Sequence, residues 1–237
     1  MHKAFAGNEV LRGVNLDIPL GQTVVVLGGS GSGKSVLLRH AIGLHRPDAG
    51  SVWVDDEEIT GLSEEQMIGP RKKVGMLFQA GALFDSMSVL DNVAFSLREH
   101  TDWPRDRIEG RVSEVLQLVE LEGVDALMPS DLSGGMRKRV ALARAIALAP
   151  RALLYDEPTT GLDPITATTI NNLIRSLQTR LGVTSIVVTH DIQSAFTVAD
   201  RIAFLYEGKI LFDGTAEEAR RADEPRLQRF LRGGGIA

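Results

Sequence analysis

The chain contains no cysteine among its 237 residues, and aromatic residues make up only 5 % of it. The lack of cysteine excludes disulfides, thiolate nucleophiles and cysteine-ligated zinc, and it suits a reducing compartment. No stretch reaches the roughly 18 uncharged apolar residues of a membrane-spanning helix, because Arg144 interrupts the longest candidate, residues 140–150. Residues 1–5 lead directly into patterned sequence, so no secretory signal peptide is expected.

A strong excess of one charge is also lacking. The formal net charge is -5, with the two signs well mixed, and no basic stripe marks a surface for nucleic acid. We therefore expect no nucleic-acid partner. The hydrophobic content of 43 % and the charged content of 24 % are ordinary for a soluble globular protein. The length allows one large domain, or a core with a subdomain.

Short apolar runs rich in β-branched residues predict buried strands that alternate with helical patterns. The predicted core strands are residues 23–27, 74–78, 152–155 and 185–188. This alternation favours an α/β fold with a mostly parallel sheet that is covered on both faces. Two further strand-rich stretches, residues 51–59 and 202–212, suit an antiparallel β annex. The second of them is predicted to be a hairpin that turns at Glu207 and Gly208.

Residues 81–140 contain no convincing strand pattern, but they carry helical spacing such as Val112, Val115 and Val119. They predict an α-helical subdomain inserted into a single domain, whose core and annex are formed by residues 1–80 and 141–237. Farther along, Asp163 and Pro164 predict the start of a helix that Gly182 ends. The glycine-rich tail, residues 233–235, is expected to fray.

A glycine-rich segment follows the first predicted core strand and matches the phosphate-binding pattern G-x-x-x-x-G-K-[ST]. Its residues are Gly28, Gly29, Ser30, Gly31, Ser32, Gly33, Lys34 and Ser35. The glycines let backbone N–H groups converge on phosphate oxygens, and the following helix points its positive end at the same anion. Lys34 is expected to reach the β- and γ-phosphates of ATP, and the Ser35 hydroxyl to bind Mg²⁺. A flexible glycine-serine turn is the alternative interpretation.

Two adjacent carboxylates, Asp156 and Glu157, follow the predicted strand of residues 152–155. Ligands bind outside the carboxyl ends of strands in such sheets. Asp156 is therefore expected to hold Mg²⁺, and Glu157 to orient or activate the attacking water. A solvated acidic turn is the alternative.

A third segment, residues 132–136 with the sequence LSGGM, lies between the phosphate loop and the acid pair. Ser133 can cap a following helix, and Gly134 and Gly135 would leave its first N–H groups open to a phosphate. By itself the segment is also explained by an ordinary capped helix. With the three elements in this order, the chain resembles the nucleotide-binding domain of ABC transporters over nearly its whole length. That resemblance implies a P-loop NTPase fold with a RecA-like core.

The resemblance implies further roles. Ser133, Gly134 and Gly135 would meet the ATP held by a second copy in a head-to-tail homodimer with two sandwiched ATP molecules. Gln79 would contact Mg²⁺ and the attacking water, and His190 would contact the γ-phosphate. Asp163 would lie in the loop that crosses the dimer seam. Phe5 would stack on adenine, and Val36 would lie beside the phosphate loop, at a position where threonine is usual. A core phenylalanine is the alternative for Phe5.

Within ABC transporters, Val36, Met136 and the segments of residues 78–85 and 91–100 resemble the ATPase subunit of the Mla/Mce lipid-transport systems. That resemblance implies phospholipid or related lipid as cargo and a peripheral position on the cytoplasmic face of the inner membrane. It also implies as partners an integral-membrane permease, an Mce-domain substrate-binding protein and a small STAS-type regulator. An apolar cluster in residues 83–90 would grip the permease, or else pack the helical subdomain.

Two other functions stay open. The first is the ATPase subunit of an importer for amino acids or other small solutes. The second is an ABC-type ATPase that acts on DNA or ribosomes, which the single module, the lack of long heptad repeats and the negative net charge disfavour.

Overall fold

The computed structural model describes residues 1–233, so most of the glycine tail predicted to fray lies outside the described residues. The chain divides into two compact units. The first unit combines Met1–Lys72 with Thr184–Ala237, and the second unit is Lys73–Val183. The second unit contains the segment that was predicted to be a helical subdomain, together with two strands.

The strands of the first unit are β1 (His2–Phe5), β2 (Asn8–Arg12), β3 (Thr23–Leu27), β4 (Trp53–Val54), β5 (Glu57–Glu58), β8 (Thr184–Thr189), β9 (Arg201–Tyr206) and β10 (Lys209–Thr215). Its helices are α1 (Lys34–Ala41), α2 (Ile68–Lys72), α7 (Ile192–Val198), α8 (Ala216–Arg221) and α9 (Pro225–Leu231).

The strands of the second unit are β6 (Val74–Leu77) and β7 (Ala152–Asp156). Its helices are α3 (Val89–His100), α4 (Arg105–Leu118), α5 (Gly134–Ile146) and α6 (Pro164–Leu181), with a short 3₁₀ helix at Pro129–Asp131.

The sheet of the first unit is built around β3, all five residues of which are buried. Strand β3 pairs in parallel with β8 on one side and with β9 on the other. All four core strands predicted from sequence are present, to within one residue or so at each end. Apolar runs that are buried on both faces are typical of such strands, because parallel sheets are covered on both sides.

The hairpin of β9 and β10 corrects one prediction. Its turn lies at Glu207 and Gly208, both with positive φ, as expected. However, β9 pairs with β3 in the parallel sheet and does not belong to a separate antiparallel annex. The reason is the run Ile202–Leu205, which is buried on both faces and therefore needs a central position. The other predicted annex stretch forms only the two-residue pair of β4 and β5.

The N-terminal hairpin of β1 and β2 was not predicted from the sequence. Its turn is made by Ala6 and Gly7, both with positive φ. The strands are short and half-exposed, so they lack the continuous apolar run that marks a core strand.

In the second unit, β6 and β7 pair in parallel, and helix α3 packs against α4 and α5. Residues 81–140 contain helices and no strand, as predicted. Helix α6 has the predicted bounds, with Asp163 as its N-cap and Gly182 in the left-handed conformation at its C-cap. Both ends were predictable because capping depends on residues that are adjacent in sequence.

Candidate functional site

The phosphate loop lies in the first unit, between the buried strand β3 and helix α1. Gly33 is the N-cap of α1, and its φ of 104° is in the region that favours glycine. Because Gly33 offers no side-chain cap, the N-terminal N–H groups of α1 face the loop without a competing side-chain oxygen. This is the local geometry that binds phosphate at helix N-termini.

Lys34 lies at the centre of the loop. Its ammonium group donates hydrogen bonds to the carbonyl oxygens of Gly28 at 3.0 Å and Gly29 at 2.9 Å. The loop therefore curls around a cation that is 6 % exposed. The Ser32 hydroxyl is buried in the same loop and has no hydrogen-bond partner among the described residues. A positive, donor-rich loop with an unsatisfied hydroxyl suits a phosphate group.

Gly28 shows how closely the loop approaches the strand beside it. A Cβ atom on Gly28 would lie 2.3 Å from the carbonyl oxygen of Leu205 and 2.9 Å from the Ser32 Oγ. Only glycine fits there, which explains the first glycine of the pattern.

Three more predicted residues lie in the first unit. Val36 is in the first turn of α1, and its carbonyl oxygen lies 2.7 Å from His40 Nδ1. Phe5 ends β1 and is 39 % exposed, with its ring edge-on to His45 at a centroid distance of 5.2 Å. His190 directly follows β8 and is exposed. Phe5 is therefore not the core phenylalanine of the alternative interpretation, and its stacking on adenine stays a prediction.

The acid pair lies in the second unit at the end of β7. Asp156 is 4 % and Glu157 is 8 % exposed, so the alternative of a solvated acidic turn is wrong. The hydroxyl of Thr160 donates to Glu157 Oε2 at 3.2 Å. Glu157 has a φ of 48°, which is strained for a residue with a side chain. Such strain persists where the surroundings fix the residue, and it is frequent at functional sites.

Gln79 also lies in the second unit, in the segment that follows β6. Its main-chain carbonyl accepts a hydrogen bond from the Lys138 ammonium group. Burial lowers the pKa of Lys138 from its ordinary value, and the carboxylates of Asp156 and Glu157 oppose that shift. Lys138 therefore stands among three predicted site residues, although the sequence reasoning missed it. The sequence offered one indication that Lys138 is buried: it is spaced four and eight residues from Leu142 and Ile146, which are buried on the same side of α5.

The glycines of the segment LSGGM open helix α5, with Ser133 as the N-cap. The Ser133 hydroxyl accepts from the Met136 N–H at 3.2 Å, which confirms the predicted cap. Gly135 packs tightly on α6, because a Cβ atom there would lie 2.5 Å from Thr166 Cγ2. Helix α5 ends at Ile146.

Asp163 caps helix α6 in the same unit. Its carboxylate accepts from the N–H groups of Ile165 and Thr166 and from the Thr166 hydroxyl. The hydrogen bond from the Thr166 hydroxyl is the largest cause that holds the pKa of Asp163 below its ordinary value, and the hydrogen bonds from the N–H groups add to it. Thr166 thus contacts both Asp163, the cap of α6, and Gly135 of the LSGGM segment, residues 132–136, which is called the signature segment below.

The predicted site residues fall into two sets. The first unit holds Phe5, the phosphate loop of residues 28–35, Val36 and His190. The second unit holds Gln79, Ser133, Gly134, Gly135, Asp156, Glu157 and Asp163. Within residues 1–233, no group of three or more His, Cys, Asp or Glu side chains is arranged to hold a metal ion.

Comparison with known proteins decides the family. The ABC transporter family matches residues 11–160, which is more than half of the chain. The chain belongs to the ABC transporter family. Among the relatives of this ABC ATPase cassette is the intermembrane phospholipid transport system ATP-binding protein MlaF of Escherichia coli K12, which is 43 % identical over 96 % of this chain and 85 % of MlaF. Another is the probable ribonucleotide transport ATP-binding protein mkl of Mycobacterium leprae, 42 % identical over 98 % of this chain and 67 % of mkl.

Solved ABC cassettes share the fold. CbiO1 of Clostridium perfringens, part of the transporter complex cbiONQ, superimposes with a TM-score of 0.86 at 32 % identity, covering 98 % of this chain and 92 % of CbiO1. The cassette MJ0796, solved as a dimer in a post-hydrolysis state with ADP and Pi, gives a TM-score of 0.82 at 33 % identity, covering 90 % of this chain and 94 % of MJ0796. The predicted α/β P-loop NTPase fold is thereby confirmed. No helix within residues 1–233 has the length and apolar character needed to cross a membrane.

Proposed function

We propose that this chain is the ATP-hydrolysing motor subunit of a transporter that moves phospholipid or a related lipid across a bacterial envelope. The observation that carries the motor function is the phosphate loop, which closes around Lys34 at the N-terminus of α1. The relation to MlaF at 43 % identity supports the lipid cargo.

ATP binding uses the first unit. The phosphates lie in the loop of residues 28–35, where Lys34 exchanges the carbonyls of Gly28 and Gly29 for β- and γ-phosphate oxygens. Phosphate oxygens are the stronger partners, because both ends of the hydrogen bond are then charged. The exposed face of Phe5 stacks on adenine, and Val36 lies beside the phosphates.

Hydrolysis requires Mg²⁺, which neutralises charge on the phosphates when it is bound. The residues that would hold it are Ser35 in the first unit and Gln79 and Asp156 in the second unit, all of which offer the oxygen atoms that Mg²⁺ prefers. Magnesium in such sites is held by one or two carboxylates together with substrate phosphates, so a cluster of three acidic residues is not needed. Glu157 orients and deprotonates the attacking water, and His190 contacts the γ-phosphate.

A second copy completes each site. Ser133, Gly134 and Gly135 of one copy meet the γ-phosphate held by the other, in a head-to-tail dimer with Asp163 near the seam. ATP closes this dimer because each γ-phosphate bridges two copies, and hydrolysis removes the bridge. The difference in affinity between open and closed states drives the permease. The dimeric MJ0796 cassette supports this arrangement.

The assembly is proposed to lie on the cytoplasmic face of the inner membrane, where the motor binds an integral-membrane permease peripherally. An Mce-domain substrate-binding protein and a small STAS-type regulator are the further partners. The exposed ring of Phe84, in the loop before α3, and that of Phe95, in α3, have centroids 4.9 Å apart and offer apolar anchors for a permease helix.

A second candidate function is the motor of a small-solute transporter. The relation to mkl at 42 % identity favours it, since the name of mkl assigns ribonucleotide transport. The two candidates share the ATPase chemistry and differ only in the permease and its cargo.

ATP turnover tests the motor function. Lys34→Ala removes the cation of the phosphate loop, so we expect ATP hydrolysis to fall by about 10²-fold or more. Lys209→Ala is the matched control, because Lys209 is an exposed lysine in the same unit and should retain the wild-type rate. Phosphate release by the two purified variants is the measurement, and near-normal hydrolysis by Lys34→Ala would refute the assigned role.

Affinity capture from detergent-solubilised membranes tests the cargo. We expect the wild-type chain to retain a membrane permease together with phospholipid that mass spectrometry identifies. A permease that co-purifies without lipid, in company with a binding protein for a small solute, would favour the second candidate instead.

A further inference from the structure

Lys138 is a buried cation on the inner face of helix α5. The helix turns Lys138, Leu142 and Ile146 toward the same side, and Lys138 is only 6 % exposed. Lysine is almost never buried to this degree unless it is paired. A leucine or methionine at position 138 could be buried without removing a charged group from water, so the presence of a lysine there requires an explanation.

The surroundings of the Lys138 ammonium group supply that explanation. The group donates a hydrogen bond to the main-chain carbonyl of Gln79. It is also attracted by the carboxylates of Asp156 and Glu157, which act against the lowering of its pKa by burial. Lys138 on helix α5 thus forms a hydrogen bond to the segment after β6 and lies within electrostatic range of the acid pair after β7. All of these residues belong to the second unit.

Arg144, six residues farther along α5, holds the same segment at a second point. Its guanidinium donates to the carbonyl oxygens of Gly81 at 3.0 Å and Ala82 at 2.8 Å. Lys138 and Arg144 of α5 thus both donate hydrogen bonds to backbone carbonyls of residues 79–82. Of these two cations, Lys138 is the one whose pKa the acid pair acts on, whereas burial lowers the pKa of Arg144.

Neighbouring cations on α5 do not share this arrangement. Arg137 donates to the carbonyl of Leu132, and Arg139 donates to the carbonyl of Glu120. Neither of these two arginines donates to Gln79. Among these three adjacent cations, Lys138 is therefore the one that donates to Gln79 and lies within electrostatic range of the acid pair.

We propose that Lys138 is a positioning residue for ATP hydrolysis, which holds the Gln79 segment in register with Asp156 and Glu157. The inference rests on the proposed roles of Gln79 and Glu157. The ammonium fixes the backbone at Gln79 and balances the charge of the two carboxylates, so that the Gln79 side chain is presented to the water that Glu157 activates. Because Lys138 acts through these groups, it affects turnover more than ATP binding.

Steady-state ATP hydrolysis by four chains tests this inference: wild type, Lys138→Met, Gln79→Ala and the double variant. Methionine has a similar shape without charge or donor. We expect Lys138→Met to lower kcat by about 10-fold or more and to change KM for ATP by less than about 3-fold. In the Gln79→Ala background, the same substitution should cost less than about 3-fold, because the side chain that it positions is gone.

Further variants separate positioning from folding. Lys138→Arg keeps the charge and the donors and should restore kcat to within about 3-fold of wild type. Arg139→Met is the matched control and should retain wild-type kinetics. If circular dichroism finds Lys138→Met unfolded, Lys138→Gln replaces it, with the same expected loss of kcat relative to Lys138→Arg.

Two results would overturn the inference. One is a wild-type kcat in the neutral variant at position 138. The other is a loss of kcat that is equally large with and without the Gln79 side chain, which would mean that Lys138 does not act through Gln79. A wild-type chain without ATP hydrolysis, or a Glu157→Gln chain with full hydrolysis, would instead contradict the proposed function on which the inference rests.

Discussion

At the scale of single residues, close backbone approach determines which positions require glycine. Gly75 on β6 is such a position, because a Cβ atom there would lie 2.3 Å from the carbonyl oxygen of Ala145 and 2.8 Å from Leu153 Cδ2. The strand and the end of helix α5 thus pack at backbone distance, which leaves no room for a methyl group.

We expect Gly75→Ala to lower the free energy of unfolding by about 1–3 kcal/mol, because the backbone must shift to admit the added atom. Gly110 is the matched control in the same unit. It lies in helix α4 with no atom within 4 Å of an added Cβ. Gly110→Ala should therefore raise the free energy of unfolding by about 0.5–1 kcal/mol, through its higher helix propensity. Urea unfolding measures both changes, and a stability unchanged by Gly75→Ala would contradict the close approach.

Local residue chemistry was predictable from the sequence, whereas long-range partners were not. The cap at Ser133 and the left-handed glycine at Gly182 follow from neighbours within a few positions. The burial of Lys138, in contrast, goes with a hydrogen bond to Gln79, which lies 59 residues earlier in the chain. No local pattern specifies such a contact, and it was not predicted.

At the scale of elements, helix α3 is joined to the loop before it by one buried side chain. Asn92 is fully buried. Its Oδ1 accepts from the Phe84 N–H at 2.8 Å, and its Nδ2 lies 3.0–3.1 Å from the carbonyl oxygens of Phe84, Met87 and Ser88. The loop that carries the exposed Phe84 ring therefore depends on this amide for its conformation.

We expect Asn92→Asp to destabilise the protein by about 3 kcal/mol or more, because a carboxylate cannot donate to the three carbonyls and is buried as a charge. Asn172→Asp is the control, since Asn172 is exposed in the same unit and should change stability by less than about 0.5 kcal/mol. Thermal unfolding compares the two variants. Equal stabilities would mean that the Asn92 hydrogen bonds do not hold the loop.

Strand order was the least predictable property of the elements. The run of residues 202–205 correctly indicated a strand, but periodicity does not specify which strand it pairs with. Only the structure assigns β9 to the parallel sheet beside β3. In the same way, the hairpin of β1 and β2 is too short and too exposed to stand out from a loop.

At the scale of the whole molecule, membership of the ABC transporter family accounts for the ATPase chemistry but does not specify a cargo. Relatives of almost equal identity have names that assign phospholipid and ribonucleotide transport. The motifs that predicted the ATP site are local in sequence, which is why the family could be inferred from them. The lipid cargo depended on resemblance alone.

The dimer is the central claim at this scale, because the signature segment of one copy is proposed to act on the ATP of the other. Glu157→Gln should bind ATP without hydrolysing it, so the closed dimer should accumulate. Adding Ser133→Arg places a bulky cation where the other copy must approach. The double variant should therefore bind ATP as a single chain.

Size-exclusion chromatography with light scattering of Glu157→Gln, with and without Mg²⁺ and ATP, tests this claim most directly. We expect a nucleotide-dependent shift to twice the 25.7 kDa of a single chain, and no such shift when Ser133→Arg is added. A chain that binds ATP but keeps the mass of a single copy, or a dimer that forms equally well with Ser133→Arg, would contradict it.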